Sequence, residues 1–205
     1  MTIVRCPAAP RVYFERDARH LARALVGAFL VREVEGVTRV TRIVETEAYR
    51  GPSDAACHAR VGLTKRTRTL LGPPGHAYVF LVYGMHECFN VVCLREGGGH
   101  AVLVRAGEPV EGIAAGVRSE GPGRLAKAMG ITRADDGCDL TAPPLYVSPR
   151  PSGARVRVET SARVGVAYAG AVAEKPWRFF DAESQWVSRP PASAIGLGLN
   201  AVAHS

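Results

Sequence analysis

The segment Arg42–His58, RIVETEAYRGPSDAACH, carries the densest set of reactive side chains in the chain. Glu45 and Glu47 stand two residues apart at the end of an apolar, β-branched run, and Tyr49 follows two residues later. Side chains of an extended strand alternate, so both carboxylates share a face, with the phenol next along it. Asp54 and His58 come next, where Pro52-Ser53-Asp54 opens a short helix or turn that holds the histidine. A carboxylate near a tyrosine and a histidine can activate water or stabilise a developing cation. Alone, an acid at a strand end is a solvated or salt-bridged residue, so its company decides. From Arg50 to Arg68 the cations Arg50, Arg60, Lys65, Arg66 and Arg68 stand against only Asp54. YVFLVY at 78–83 then supplies three aromatics in six positions. Rings beside a basic surface suit stacking of unpaired bases, worth about 1–3 kcal/mol per base. The combination predicts chemistry on a nucleic acid.

Composition sets the frame. At 205 residues, with ordinary globular charged and apolar fractions, the chain suits one domain over 1–205 with its own core. The longest nearly unbroken apolar run, 77–82, is too short to span a bilayer. The first twenty residues lack the charged-then-apolar pattern of a secretory signal. The expected location is therefore cytoplasmic, with the nucleoid if the source is bacterial. Five cysteines (Cys6, Cys57, Cys88, Cys93, Cys138) are odd in number and form no Cys-x-x-Cys pair. They read as reduced thiols rather than a disulfide framework or a sulfur-ligated zinc. A net charge of +7 favours an acidic partner. Only Lys65, Lys127 and Lys175 among the 26 cations are lysines. Arginine suits bidentate phosphate contacts, although biased genome composition gives the same skew.

The elements that must position these residues read as one α+β domain around a mixed, mostly antiparallel sheet with flanking helices. Residues 15–27 predict a helix capped by Asp17, with Leu21, Ala22 and Leu25 as its stripe and Gly27 at C′. A hairpin turning at Glu35-Gly36 follows, and its second strand delivers Glu45 and Glu47. Thr64–Leu71 reads as a short basic helix, stopped by Gly72-Pro73-Pro74-Gly75. His76–Tyr83 and Glu87–Leu94 read as strands joined at Gly84-Met85, and GGGH at 97–100 leads to a strand Ala101–Ala106 carrying Arg105. Pro122–Met129 predicts a helix whose N-terminus, after Gly121 and near Arg124 and Lys127, suits a phosphate. Residues 141–190 hold short strands and loops on which no chemistry is placed.

RIVETEAYRGPSDAACHA, GPPGHAYVFLVYGMHECFNVV and VLVRAGEPVEG, in this order, resemble the alkyladenine (3-methyladenine) DNA glycosylases. The resemblance runs from about Leu21 to Ile131, with a weaker echo over Arg163–Phe180. It implies Glu47 as the general base that polarises water for attack on C1′ of a flipped nucleotide. Glu45 reads as a salt-bridge partner. The resemblance implies Arg105 near the catalytic water and the target's phosphate, and Tyr49, His58 and Phe80 as walls around the purine. Asn90 is the pocket residue that disfavours unmodified guanine. Tyr83, with Met85 beside it, fills the space that the base vacates, and Lys65, Arg66 and Arg68 read as the DNA-binding cations. No lysine or N-terminal proline is placed as a nucleophile, so the implied reaction leaves an abasic site without cutting the strand. Substrates would be 3-methyladenine and 7-methylguanine, with hypoxanthine and ethenoadenine further candidates, and the partner is duplex DNA bound by a monomer without metal or organic cofactor. Family members often carry tyrosine where this chain has Phe80, so neutral lesions such as hypoxanthine are expected to be handled less well than cationic ones. Two other readings stand beside this one: a damage-recognition protein that flips a base without cutting it, and an RNA-directed enzyme using the same basic surface.

Overall fold

The computed structural model describes residues 7–188; Cys6 and the tail after Pro190 lie outside them. Eight strands form one curled sheet: β1 (Phe29–Val34), β2 (Val37–Arg50), β3 (Ala77–Val82), β4 (His86–Cys93), β5 (His100–Glu111), β6 (Leu145–Ser148), β7 (Val158–Ser161) and β8 (Arg178–Asp181). Two helices accompany it, α1 (Ala18–Leu25) and α2 (Pro122–Met129). The sheet runs β3-β4-β5-β2-β1-β6, with β8 on β2 and β7 on β8. All pairings among the described strands are antiparallel, the predominant arrangement that the sequence suggested.

Local chemistry explains these elements. The β1–β2 hairpin turns through Glu35 (φ 53°) and Gly36 (φ 76°). Two successive left-handed residues match the twist of the flanking strands. The Asp17 side chain accepts the Arg19 N–H at 3.0 Å and caps α1, and Gly27 (φ 88°) lets the chain leave the helix for β1. Thr64–Leu71 is a run of turns, not the expected helix. Thr67 Oγ1 accepts the Thr64 N–H at 2.8 Å, and Thr64 Oγ1 accepts the Thr67 N–H at 3.1 Å. These reciprocal bonds close a single turn, and Leu71 N–H to Thr67 O is the one helix-like bond that follows. The last long strand also exceeds its expected length, since β5 continues through Gly107-Glu108-Pro109 to Glu111.

Alternation then sorts the sheet into two faces. Ala48, Ala77, Val79, Phe89, Val91, Val102 and Val104 point into the main core with Leu21, Leu25, Leu125 and Met129 of the helices. Each large apolar side chain buried there contributes about 1.5–3 kcal/mol. The opposite face carries Tyr49, Tyr78, Phe80, Val92 and Ala101, covered in part by Cys57, Ala59, Leu70 and Leu71. That second face is only partly roofed, and the cavity opens there. No helix among the described residues is long and apolar enough to cross a membrane.

Candidate active site

Strand register assembles the site from distant parts of the chain. Tyr78 pairs with Asn90, Asn90 with Leu103, Leu103 with Glu47, and Glu47 with Arg178. Cross-strand partners share a face. The four therefore stand in a row with Glu47, flanked by Tyr49–Ala101–Val92 on one side and Phe80–Cys88 on the other. A cavity of about 1050 Å³ lies over this row, its wall including Tyr49, His58, Phe80, Asn90, Arg105 and Val164.

Arg105 reaches the acids through a break in pairing. The register passes from Glu45–Ala106 to Thr46–Val104, so Arg105 has no partner residue on β2. Such a bulge re-aims a side chain. Here Nε donates to Glu45 Oε1 at 2.9 Å, and Nη1 lies 3.3 Å from Glu47 Oε1. Glu45 also accepts from Arg178 Nε at 2.6 Å and from the Ser188 N–H at 2.7 Å. It is a salt-bridged residue, as its position suggested.

Glu47 is fully buried behind the cavity wall, in contact with the lining residues Tyr49, Arg105 and Val164. Its Oε1 accepts the Val164 N–H at 2.7 Å and its Oε2 accepts the Tyr49 hydroxyl at 2.9 Å. The two acids are pushed apart. Burial raises the Glu47 carboxyl above its ordinary value, more than Arg105, the Val164 amide and Tyr49 pull it down. Burial would raise Glu45 as well, but Arg105, Arg178 and the Ser188 amide together hold it low. A pair split in this way gives one permanent anion and one carboxylate with a strengthened affinity for protons, the better base.

Aromatic side chains form the wall opposite. The His58 ring lies 4.6 Å from Phe80 at 68°, and its Nδ1 is 3.0 Å from the Tyr78 hydroxyl. Burial, with the Arg66 charge second, lowers His58 to about 4. It is a neutral ring at physiological pH. Asn90 Nδ2 donates to the Tyr78 and Cys88 carbonyls at 3.1 and 3.3 Å, which fixes the amide in place. At the mouth, Tyr83 and Gly84 turn the β3–β4 hairpin in left-handed conformations (φ 52° and 68°). Tyr83 is 88% exposed and Met85 73%, so two large apolar side chains stand in solvent beside the opening.

These features fit one family, and the comparison decides it. Residues 12–185 match the family described as Methylpurine-DNA glycosylase (MPG). The chain belongs to that family. A Myxococcus xanthus protein named "Putative 3-methyladenine DNA glycosylase" is 52% identical over 182 residues, covering 89% of this chain and 94% of the relative. Proteins of the same name from Anaeromyxobacter dehalogenans and Methanocella arvoryzae are 51% and 46% identical, covering 90% and 89% of this chain and 87% and 96% of theirs. The protein is thus a DNA glycosylase, and DNA is its partner.

In this glycosylase, several contributors come from segments where the sequence alone suggested no chemistry. Arg163 is buried against Asp54, with Nη1 2.6 Å from Oδ2 and Nη2 2.9 Å from Oδ1. Its Nη1 also donates to the Ala48 carbonyl at 2.9 Å. The guanidinium lies 4.7 Å from the Tyr49 ring and 5.0 Å from the Trp177 ring. Asp54 further accepts the Arg50 and Ala56 N–H groups, which sets the turn leading to His58. One ion pair thus ties together β2, the His58 loop and the loop of Val164.

The basic cluster splits up. Arg50 pairs with Asp17 and lies over Trp177, away from the others. Lys65, Arg66 and Arg68 are all exposed, but of the three Arg66 alone lines the cavity, its guanidinium over Phe80. Gly121, Pro122, Arg124 and Lys127 bring the α2 N-terminus to the same wall. Among the described residues, no group of three or more His, Cys, Asp and Glu is placed to hold a metal.

Proposed function

We propose that this glycosylase takes alkylated and deaminated purines out of duplex DNA and hydrolyses their N-glycosidic bond with water activated by Glu47. Its substrates are 3-methyladenine and 7-methylguanine, with hypoxanthine and ethenoadenine as further members. The observation that carries the reading is the Glu47 carboxylate, buried and raised in proton affinity and held by Tyr49, Arg105 and Val164 of the wall of an aromatic-lined cavity. The relatives' shared name, 3-methyladenine DNA glycosylase, supports the substrate class.

The extruded purine stacks among Tyr49, His58 and Phe80. Methylation gives 3-methyladenine and 7-methylguanine in DNA a positive charge, which makes them good leaving groups and adds a cation–π attraction of about 0.5–2 kcal/mol. As the bond breaks, positive charge develops on the sugar, and the Glu47 carboxylate offsets it while taking a proton from the attacking water. Arg105 holds both acids in place and offers its charge to the target's phosphate. Tyr83 fills the stack after the base leaves, offsetting an unstacking penalty of a few kcal/mol. No amine nucleophile participates, so the product is an abasic site in an uncut strand. The enzyme acts as a monomer on a single lesion.

The test compares base release from methylated duplex DNA by the wild type and Glu47→Gln. Free 3-methyladenine from the wild type, with turnover reduced at least about a thousandfold and lesion binding retained in the variant, is the expected result. Equal release from both removes Glu47 from its role. Tight lesion binding without release by either protein points to damage recognition, and turnover on RNA duplexes points to the RNA-directed reading.

A further inference from the structure

Arg66 occupies an unexpected place. Its guanidinium sits 5.1 Å from the centre of the Phe80 ring, and both residues belong to the cavity wall. Arg66 also borders the small side cavity of about 230 Å³ behind His58. No carboxylate pairs with it among the described residues, in contrast to Arg105 and Arg163. The neighbouring cage feels Arg66: after burial, the Arg66 charge is the second cause that lowers His58, and Arg66, by a hydrogen bond first and its charge next, pulls down a Tyr78 hydroxyl that burial raises to about 12. A planar cation therefore rests where a planar base is to stack.

Resting on the purine-release reading above, we infer that Arg66 is a specificity-determining residue whose guanidinium covers the stacking surface of Phe80 until a base displaces it, and whose charge tilts the site toward neutral purines. The physical argument has two parts. Stacking on Phe80 requires the guanidinium to move, since a ring and a base at contact distance leave no room between them. After moving, a long arginine side chain stays tethered near the pocket mouth, and like charges repel across a few ångströms. A cationic purine meets that repulsion and a neutral one does not. The effect runs against the preference for cations that Phe80 alone would give.

The experiment measures single-turnover release of 7-methylguanine and of hypoxanthine from otherwise identical duplexes, by wild type, Arg66→Gln and Arg66→Lys. Arg66→Gln is expected to raise the 7-methylguanine/hypoxanthine rate ratio about tenfold, equivalent to about 1.4 kcal/mol. Arg66→Lys keeps the charge and is expected to stay within about threefold of the wild-type ratio. An equal fall in both rates for Arg66→Gln, with a shallower salt dependence of binding, would make Arg66 a plain phosphate contact and overturn the inference. The same ratio read as equilibrium binding of the two lesion duplexes is independent of turnover. A wild type that releases neither base defeats the purine-release reading, while the binding ratio still decides the role of Arg66.

Discussion

Replacing Arg163 by methionine tests whether the Asp54–Arg163 pair organises the site. Methionine keeps much of the apolar stem and removes the guanidinium. Asp54 would retain the Arg50 and Ala56 amides at 3.1 and 3.0 Å but lose its only paired cation among the described residues. Breaking a buried ion pair by removing one partner costs about 3–5 kcal/mol. Two backbone donors remain on the carboxylate, which argues for the low end. The lost Ala48 hydrogen bond and the contacts with Tyr49 and Trp177 argue for the high end. A loss of about 4 kcal/mol corresponds to roughly 8–16 °C in Tm for a domain of this size. Since total stability is about 5–15 kcal/mol, the variant should still fold at low temperature. Urea unfolding of the wild type, Arg163→Met, Asp54→Leu and the double variant completes the cycle. The apolar double variant is expected to recover at least about 2 kcal/mol relative to the sum of the singles. The functional half concerns Val164, the next residue, whose N–H pulls the Glu47 carboxyl down. If the loop shifts, Glu47 rises further and the acid limb of base release moves to higher pH. Additive stabilities, or a single variant within 1 kcal/mol of wild type, would refute the energetic argument. An unmoved acid limb in the folded variant would refute the positioning argument.

The remaining predictions concern His58 and Tyr83. The folded state holds His58 neutral down to about 4 against an ordinary value of 6.5, so the unfolded chain takes up its proton first as pH falls. Stability tied to His58 is present above pH 6.5 and is lost between 6.5 and about 4. After discount for solvent screening this is worth about 1–3 kcal/mol, and His58→Phe should flatten the loss of Tm over that window; an unchanged slope assigns it to other groups. Tyr83 packs on nothing that its 88% exposure would let it lose, and it sits at φ 52°, where a side chain is strained by about 1–2 kcal/mol. Tyr83→Gly should therefore leave Tm within about 2 °C, because glycine's greater unfolded-state freedom offsets the relief of strain. Base release from duplex DNA should fall at least about tenfold in the same variant; undiminished release would remove Tyr83 from the stack-filling role.

What the sequence shows and what it hides follow from contact range. Alternation along Glu45–Tyr49, the Glu35-Gly36 turn and the Asp17 cap are local, and each appears where local chemistry predicts it. The helix expected over Thr64–Leu71 is instead a run of turns, in which the reciprocal Thr64–Thr67 bonds close one turn and only Leu71 N–H to Thr67 O follows the helix pattern. The Asp54–Arg163 pair spans 109 positions, and the Arg178–Glu45 pair spans 133. No spacing rule links residues so far apart, so the sequence could show Asp54 only as a lone acid in a basic stretch. The bulge that aims Arg105 is likewise a property of two strands in register, invisible in either one.

Burial first, and the neighbouring Glu45 charge second, keep the affinity of Glu47 for protons strengthened beside an arginine. Arg105 lies closer to Glu45, at 2.9 Å, than to Glu47, at 3.3 Å. A guanidinium bonded squarely to Glu47 alone would stabilise the anion and weaken it as a base. Burial outweighs the pull of Arg105 on Glu47, and the Glu45 charge adds to the cost of ionising it. The second cation, Arg178, donates to Glu45 at 2.6 Å from β8, on the other side of β2. Two carboxylates on one strand face are therefore not redundant. One is held as an anion between two arginines, and the other keeps a raised affinity for protons, the property that its proposed role as base requires.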